Sequence, residues 1–196
     1  MSLSTYLSVN QIIDYEGNSG QIPQQMATLG ELCDNPEVES ILEIGFNVGH
    51  SADTFLSHSL AHVTSFDLQA RDSVFYGKQY IDRKYPGRHS LIIGDSTVTI
   101  PLYAKEHPDK KFDLIYIDGG HTEEVARADL LNCKALAHPN TIVVMDDVVL
   151  SSQQQQSWSI GPSKVWAQAL IDKVIYRTQG EVYGPGRGMV CGFYVL

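Results

Sequence analysis

Acidic side chains stand at or near the downstream ends of five short apolar runs of this sequence. The runs are residues 40–46, 63–68, 90–95, 112–118 and 141–147, and their acids are Glu43, Asp67, Asp95, Asp118, Asp146 and Asp147. Runs of this length, rich in Ile, Val, Leu and Phe, are typical of parallel strands buried on both faces. Because the carboxyl ends of parallel strands lie along one edge of an open sheet, we expect these acids to converge on one crevice. A crevice this acidic suits hydroxyl groups, an ammonium or sulfonium group, or a divalent cation.

A glycine-containing turn joins the first strand to a helix. Gly45 and Gly49 allow the backbone to approach a ligand closely, and the start of the helix presents free N–H groups to a carboxylate or phosphate. A dinucleotide site prefers Gly-x-Gly-x-x-Gly, whereas Asn47 stands here in place of the second glycine, which disfavours NAD. A tight turn that binds nothing is the alternative.

Two further acids follow the second and third strands. Asp67 lies about twenty residues after the turn, where an acid accepts hydrogen bonds from two ribose hydroxyls. Asp95 and Ser96 could border an adenine ring. Each acid could instead cap a helix, but their joint position after a glycine turn is less common.

The motifs run in the order Glu-x-Gly-x-x-x-Gly, Asp67, Gly-Asp-Ser, Ile-Asp-Gly-Gly-His and Met-Asp-Asp. In this order the chain resembles class I S-adenosylmethionine-dependent methyltransferases, from Gln21 to the C-terminus. It is most similar to the branch that contains catechol and caffeoyl-CoA O-methyltransferases and macrocin-type sugar O-methyltransferases. The resemblance implies an α/β fold with a Rossmann-like, doubly wound sheet of seven strands, mostly parallel with a C-terminal antiparallel hairpin.

The resemblance also implies roles for individual residues. The residues expected around S-adenosylmethionine are Glu43, Gly45, Asn47, Gly49, Ser51, Asp67, Asp95, Ser96 and Asp118. Of these, Gly45, Asn47 and Ser51 would contact the methionine end of the cofactor. Asp67 would bind the ribose, and Asp95 and Ser96 the adenine.

Acids at the last two strand ends correspond to the residues that hold Mg²⁺ in the resembled branch. The expected metal ligands are Asp118, Asp146 and Asp147. Hard oxygen ligands suit Mg²⁺, Mn²⁺ or Ca²⁺, and clustered acids repel one another unless a cation compensates them. The catechol-type branch has Asn as its last ligand, where this chain has Asp147. The alternative is that Asp147 caps the following loop and that Asp118 only touches the cofactor.

His121 lies where the catechol-type enzymes carry a catalytic Lys. We predict His121 and Asp118 as the catalytic residues, because a histidine can take a hydroxyl proton near neutral pH. A helix-start residue or a further metal contact is an equal alternative for His121. The other histidines show no ligand spacing and are expected at the surface or in packing. Trp166 is expected in the core and Trp158 near the methyl acceptor.

Composition favours one soluble domain at 1–196, with an N-terminal helical cap at 1–39 and a Rossmann-like core at 40–196. The formal charge of −9 disfavours nucleic acid as a partner. Three cysteines without ligand-like spacing fit a reducing compartment, and neither a membrane span nor a signal peptide is recognisable. We therefore expect a cytoplasmic protein that acts on a small molecule and that could form a homodimer.

Helix-like segments alternate with the strands in βαβ fashion. They are residues 21–33, 50–60, 73–85, 99–106, 122–137 and 163–172, followed by two strands at 173–182 and 188–196. Residues 150–162, rich in Ser and Gln, are predicted to be a lid that is mobile without acceptor and that ends at a hinge formed by Gly161 and Pro162. A solvated linker is the alternative.

The leading hypothesis is thus an S-adenosylmethionine-dependent methyltransferase, with divalent-metal-assisted O-methylation of a small-molecule hydroxyl. The alternatives are a metal-independent small-molecule methyltransferase with His121 as its only base, and a cofactor-binding homologue without turnover. An NAD oxidoreductase is a distant fourth hypothesis.

Overall fold

The structure is a computed structural model that describes residues 1–12, 19–69 and 71–196. The chain divides into two compact units, Met1–Asp95 and Ser96–Leu196. The single domain expected from the sequence stays a prediction.

Seven strands form a mixed sheet in the order β3-β2-β1-β4-β5-β7-β6. The strands are β1 (Ser40–Ile44), β2 (His62–Asp67), β3 (His89–Ile93), β4 (Phe112–Ile117), β5 (Ala137–Asp146), β6 (Ile175–Gly184) and β7 (Arg187–Tyr194). β1 to β5 overlap the five apolar runs of the sequence, although β5 begins at Ala137, where the predicted helix at 122–137 was expected to end, and β6 and β7 are the expected hairpin. The predicted fold class is confirmed.

The described residues of the first unit form three parallel strands and four α-helices. β1 pairs with β2, and β2 pairs with β3. The helices are α1 (Leu3–Val9), α2 (Pro23–Cys33), α3 (His50–His58) and α4 (Asp72–Lys84), with a short 3₁₀ helix at Ser19–Gln21. Pro23 occupies the first turn of α2 as expected, since that position needs no backbone N–H.

Helix α1 was not predicted from the sequence. Its Leu3 and Leu7 are buried, and Tyr6 Oη donates a 3.0 Å hydrogen bond to Gln79 Oε1 of α4. α2 approaches α3, where Thr54 Oγ1 lies 3.3 Å from Met26 Sδ. The N-terminal segment thus packs on helices, and its role as a cap over the strand ends stays a prediction.

The second unit contains the other four strands and three α-helices. β4 and β5 are parallel, whereas β7 is antiparallel to both β5 and β6. The helices are α5 (Ser96–Glu106), α6 (Glu123–Cys133) and α7 (Ile160–Ile171), with a 3₁₀ helix at Lys134–Leu136. The side chain of Thr122 caps α6 by accepting from Val125 N. Trp166 is fully buried, as expected.

The start of α7 at Ile160 corrects the predicted start at residue 163. Gly161 and Pro162 were interpreted as a hinge because they usually interrupt helices. Pro162 lies in the first turn, where its missing N–H removes no intrahelical hydrogen bond.

Cys33, Cys133 and Cys191 carry free thiols. Within the described residues, every helix is too short or too polar to cross a lipid bilayer.

Candidate functional site

The turn after β1 has a backbone that suits close approach of a ligand. Gly45, Asn47 and Gly49 have φ angles of 94°, 51° and 88°, all in the left-handed region. Gly49 N–H bonds to Phe46 O at 2.7 Å, and α3 then begins at His50 without a side-chain cap. The predicted glycine turn is therefore present, with the start of a helix directly behind it.

Asp67 connects this turn to the end of β2. Its Oδ2 accepts from Asn47 N at 2.7 Å, and its Oδ1 accepts from Gln69 N at 2.9 Å. A carboxylate has about four lone-pair sites, so two bonds leave capacity for two hydroxyl donors. The half-buried carboxylate is thus held in place by the backbone before any ligand binds.

Glu43 connects β1 to β2 and to the helix that follows the turn. It is fully buried on β1, where its two oxygens accept hydrogen bonds from Ser51 Oγ and Ser65 Oγ. Burial raises the pKa of Glu43 to about 7, whereas the two serine hydrogen bonds lower it and Asp67 raises it further. The side chains of Glu43 and Ser51 are hydrogen-bonded to each other within the protein. Their direct contact with a cofactor stays a prediction.

The two predicted adenine residues belong to different units of the chain. Asp95 is exposed at the end of the first unit, and Ser96 begins α5 in the second. Leu68, directly after Asp67, is 66% exposed and was not considered as a site residue in the sequence.

In the second unit, three predicted site residues come together. Ligand atoms of Asp118, His121 and Asp147 all lie within 4.8 Å of one another. Asp118 and His121 follow β4, and Asp147 follows β5, so parallel pairing of these strands brings them to the same edge. We call these residues the acid–histidine cluster.

Asp147 is the most deeply buried member of the cluster. It is 2% exposed and has a left-handed φ of 56°. Asp147 Oδ2 lies 2.9 Å from His121 Nε2, and Arg187 Nη1 lies 3.6 Å from Asp147 Oδ1. Within the described residues, Asp147 Oδ1 is buried without a hydrogen-bond partner. A buried carboxylate oxygen without a hydrogen-bond partner favours a bound cation.

Asp146 lies outside the three-residue cluster, although we expected it among the metal ligands. Its Oδ1 accepts from Asp147 N at 2.8 Å, and its Oδ2 accepts from Tyr116 Oη at 2.9 Å. Tyr116 Oη also lies 3.3 Å from Asp118 Oδ2. Sequence reasoning missed Tyr116, a buried strand residue that holds Asp146 and borders Asp118.

The groups around His121 raise its pKa on balance. Its hydrogen bond with Asp147 raises the pKa of His121, burial lowers it, the charges of Asp147 and Asp146 raise it, and Arg187 lowers it. A neutral His121 that donates Nε2–H to Asp147 presents Nδ1 as a proton acceptor. The pair thus has the arrangement of an oriented general base.

The segment from Leu150 to Ser159 is hydrogen-bonded to the turn between β6 and β7. Gly186 N donates to Gln154 O at 2.6 Å, and Trp158 Nε1 donates to Gly186 O at 2.9 Å. Arg187 stands over the Trp158 ring, 5.9 Å from its centroid. The predicted lid is thus hydrogen-bonded to Gly186 through Gln154 and Trp158. Its mobility and the acceptor contact of Trp158 stay predictions.

The donor set of the acid–histidine cluster fits a divalent cation. Two carboxylates and an imidazole suit Mn²⁺ well, and the carboxylates alone suit Mg²⁺ or Ca²⁺. The buried Asp147 Oδ1 supplies the unsatisfied oxygen that such an ion requires.

Comparisons with known proteins indicate the family to which the chain belongs. A sequence profile described as "Methyltransferase domain" matches residues 42–148. No curated protein matches the chain.

Several solved structures have the same fold. The O-methyltransferase from Bacillus cereus, in complex with SAH, has 18% identity and a TM-score of 0.77, with 97% of this chain and 90% of that chain covered. SAH-bound PaMTH1 from Podospora anserina has 16% identity and a TM-score of 0.75, with 98% and 87% covered. The O-methyltransferase TomG from Streptomyces achromogenes, in complex with SAM, has 14% identity and a TM-score of 0.74, with 98% and 87% covered.

The resemblance to class I S-adenosylmethionine-dependent methyltransferases is confirmed by the profile match, and the fold by the solved structures. The predicted enzyme class, a methyltransferase, is confirmed with it. Because the matched residues make up more than half of the chain, this protein belongs to the methyltransferase-domain family.

Proposed function

We propose that this protein transfers the methyl group of S-adenosylmethionine to a hydroxyl group of a small molecule, with a divalent cation held by Asp118 and Asp147 and with His121 as the base. One observation carries the metal-assisted form of the proposal. It is the buried Asp147 Oδ1, which has no hydrogen-bond partner among the described residues and lies beside a second carboxylate and an imidazole.

The cofactor part of the proposal rests on the first unit. The left-handed turn at Gly45, Asn47 and Gly49 leaves the backbone open to the methionine end of the cofactor. Asp67 is fixed by two backbone N–H groups and retains lone pairs for the ribose hydroxyls. Leu68 would cover one face of the adenine with apolar surface. The complexes of the three similar proteins with SAH or SAM support this assignment.

The acceptor part rests on the second unit. A bound Mg²⁺ or Mn²⁺ ion would lower the pKa of an acceptor hydroxyl and fix its direction. Asp118 and Asp147 would hold the ion, while Tyr116 keeps Asp146 in place behind them. His121 would take the hydroxyl proton at Nδ1, with its Nε2–H held by Asp147. In-line methyl transfer then depends mainly on alignment of the acceptor oxygen with the methyl carbon and the sulfur.

A metal-independent methyltransferase is the second candidate. The 2.9 Å contact between His121 Nε2 and Asp147 Oδ2 favours it, because this pair could act as a base without a cation. Arg187 Nη1, at 3.6 Å, would then compensate Asp147 Oδ1. A homologue without turnover is disfavoured, since Asp118, His121, Asp146 and Asp147 are all retained. An NAD enzyme is disfavoured by Asn47 in the turn.

A reducing location such as the cytoplasm suits three free thiols, and a small-molecule acceptor suits a protein of net charge −9.

Thermal unfolding with added ligands tests the proposal, since a ligand that binds only the folded state raises the unfolding temperature. We expect SAH and MnCl₂ each to raise it, and NAD to leave it unchanged. Asp147→Asn should lose the response to MnCl₂ and keep the response to SAH. A response to SAH without any response to MnCl₂ or MgCl₂ would favour the metal-independent candidate. No response to SAH would refute the cofactor assignment.

A further inference from the structure

His89, the first residue of β3, makes two buried contacts that lead to the turn after β1. The residue is 6% exposed. Its Nε2 lies 2.9 Å from Ser65 Oγ, and its ring stacks on Phe46 with a centroid distance of 5.0 Å and an interplanar angle of 27°. Sequence analysis placed His89 only among surface or packing residues.

The first contact reaches the turn through hydrogen bonds. Ser65 Oγ on β2 donates to Glu43 Oε2 at 2.5 Å, and Ser51 Oγ on α3 donates to Glu43 Oε1. Glu43 therefore ties β1 to β2 and to the helix that follows the turn. His89 is the next member of this chain of hydrogen bonds and adds β3 to it.

The second contact reaches the turn through packing. Phe46 is 1% exposed within the turn itself. A Cβ added at Gly49 would lie 2.8 Å from the Phe46 ring, so no side chain fits at Gly49 while the ring stays there. The Phe46 ring is thus enclosed by Gly49 and by His89. Any displacement of the His89 ring allows Phe46, and with it the turn, to move.

The hydrogen-bond donors determine which nitrogen of His89 carries a proton. When Glu43 is ionised, it can only accept, and Ser65 uses its single hydroxyl proton for this bond. Ser65 Oγ must then accept from His89 Nε2–H. Burial first, then the charges of Lys78 and His62, lower the pKa of His89 to about 3, so the ring is neutral. Within the described residues, His89 Nδ1 is buried without a hydrogen-bond partner, as expected of an unprotonated nitrogen.

We propose that His89 is a positioning residue for the cofactor turn, held as the neutral Nε2–H tautomer between Ser65 and Phe46. The functional part of this inference rests on the proposed binding of S-adenosylmethionine at this turn. His89 does not itself touch the cofactor. It orients Ser65 toward Glu43 and fixes the Phe46 ring, so that Gly45, Asn47 and Gly49 keep their left-handed conformation.

The charged groups around this network are few. Asp67 at the end of β2 acts on Glu43. Lys78 on α4 donates to His89 O at 3.3 Å, and His62 on β2 is the other titratable group that acts on the ring. The titration of Glu43 therefore reports directly on the hydrogen bond that His89 supports.

Two variants of His89 separate its two contacts. His89→Phe keeps an aromatic ring beside Phe46 and removes the donor to Ser65. His89→Gln keeps a donor of similar reach and removes the ring. His107→Gln, at an exposed histidine of the other unit, is the matched control.

The tests use the full chain. In ¹⁵N-edited NMR of the wild type, we expect His89 with a protonated Nε2 and an unprotonated Nδ1 at a pH where Glu43 is ionised. In His89→Phe, the pKa of Glu43 should rise above its wild-type value, since Ser65 becomes a weaker donor, and affinity for SAH should fall about three- to tenfold at a pH where Glu43 is ionised. In His89→Gln, the titration of Glu43 should return toward that of the wild type.

A wild-type His89 protonated at Nδ1 at a pH where Glu43 is ionised would overturn the inference, and this result requires no variant to fold. A folded His89→Phe with an unchanged Glu43 titration and unchanged SAH affinity would overturn it as well. If the wild type binds no SAH, the proposed function fails, whereas the tautomer and the Glu43 titration still decide whether His89 holds the turn.

Discussion

The buried Glu43 should make the stability of this protein fall as the pH rises through the weakly acidic range. Burial raises its folded-state pKa to about 7 from an ordinary value of 4.5. Between these two pH values the folded protein binds more protons at this site than the unfolded protein does. The free energy of unfolding therefore decreases with rising pH in that window, and the loss is complete above the folded-state pKa.

The size of the effect follows from the pKa interval. Each pKa unit corresponds to about 1.4 kcal/mol, so the interval from 4.5 to about 7 corresponds to about 3 kcal/mol. Glu43→Gln has nearly the same shape and cannot ionise. Its amide can hydrogen-bond Ser51 and Ser65 after rotation of the hydroxyls, and any fixed cost of the substitution is the same at every pH.

Urea denaturation at about pH 5 and about pH 8 measures this difference. We expect the wild type to lose about 3 kcal/mol more unfolding free energy over this range than Glu43→Gln does. Glu37→Gln, at an exposed carboxylate of the same unit, is the control and should follow the wild type. Parallel pH profiles for the wild type and Glu43→Gln would refute the assignment of a raised pKa to Glu43.

Three further predictions concern the two parts of the site. Asp67→Ala should weaken SAH binding by about 1–3 kcal/mol in calorimetry, because it removes charge-assisted hydrogen bonds to the ligand and the support of the turn; unchanged affinity would exclude Asp67 as a ligand. Gly161→Ala should lower stability by about 1–3 kcal/mol and weaken Mn²⁺ binding, because its Cβ would lie 2.2 Å from His121 O. Gly184→Ala, with no atom within 4 Å of the added Cβ, is the control, and equal effects of the two substitutions would contradict the reasoning. Replacement of residues 152–157 by a short Gly-Ser link removes the hydrogen bond between Gly186 N and Gln154 O. This variant should turn over more slowly than the wild type and keep its affinity for SAH. Unchanged kinetics would show that the segment is only a connection.

The parts of the site that the sequence predicted depend on local patterns. The acids at the ends of β4 and β5 follow apolar runs, and parallel pairing alone brings Asp118 and Asp147 to the same edge. The glycine turn is likewise defined by residues close together in sequence. Local pattern was therefore sufficient for the alternation of strands and helices and for the proximity of Asp118 and Asp147.

The residues that sequence analysis missed reach the site through non-local pairing or through burial. Arg187 approaches Asp147 because β7 runs antiparallel to β5 in a register that places Met189 opposite Asp146. No short-range pattern specifies that register. Tyr116 and His89 resemble ordinary core residues in the sequence, and only the positions of neighbouring strands show that their polar atoms meet Asp146 and Ser65.

We propose above all that the first unit binds S-adenosylmethionine and its product S-adenosylhomocysteine (SAH) at the Gly45–Ser51 turn and Asp67. Isothermal titration calorimetry with SAH and the wild-type protein tests this claim most directly. We predict saturable binding at one site per chain, with NAD showing none under the same conditions. Absence of any SAH binding at millimolar ligand would contradict the account at its first step.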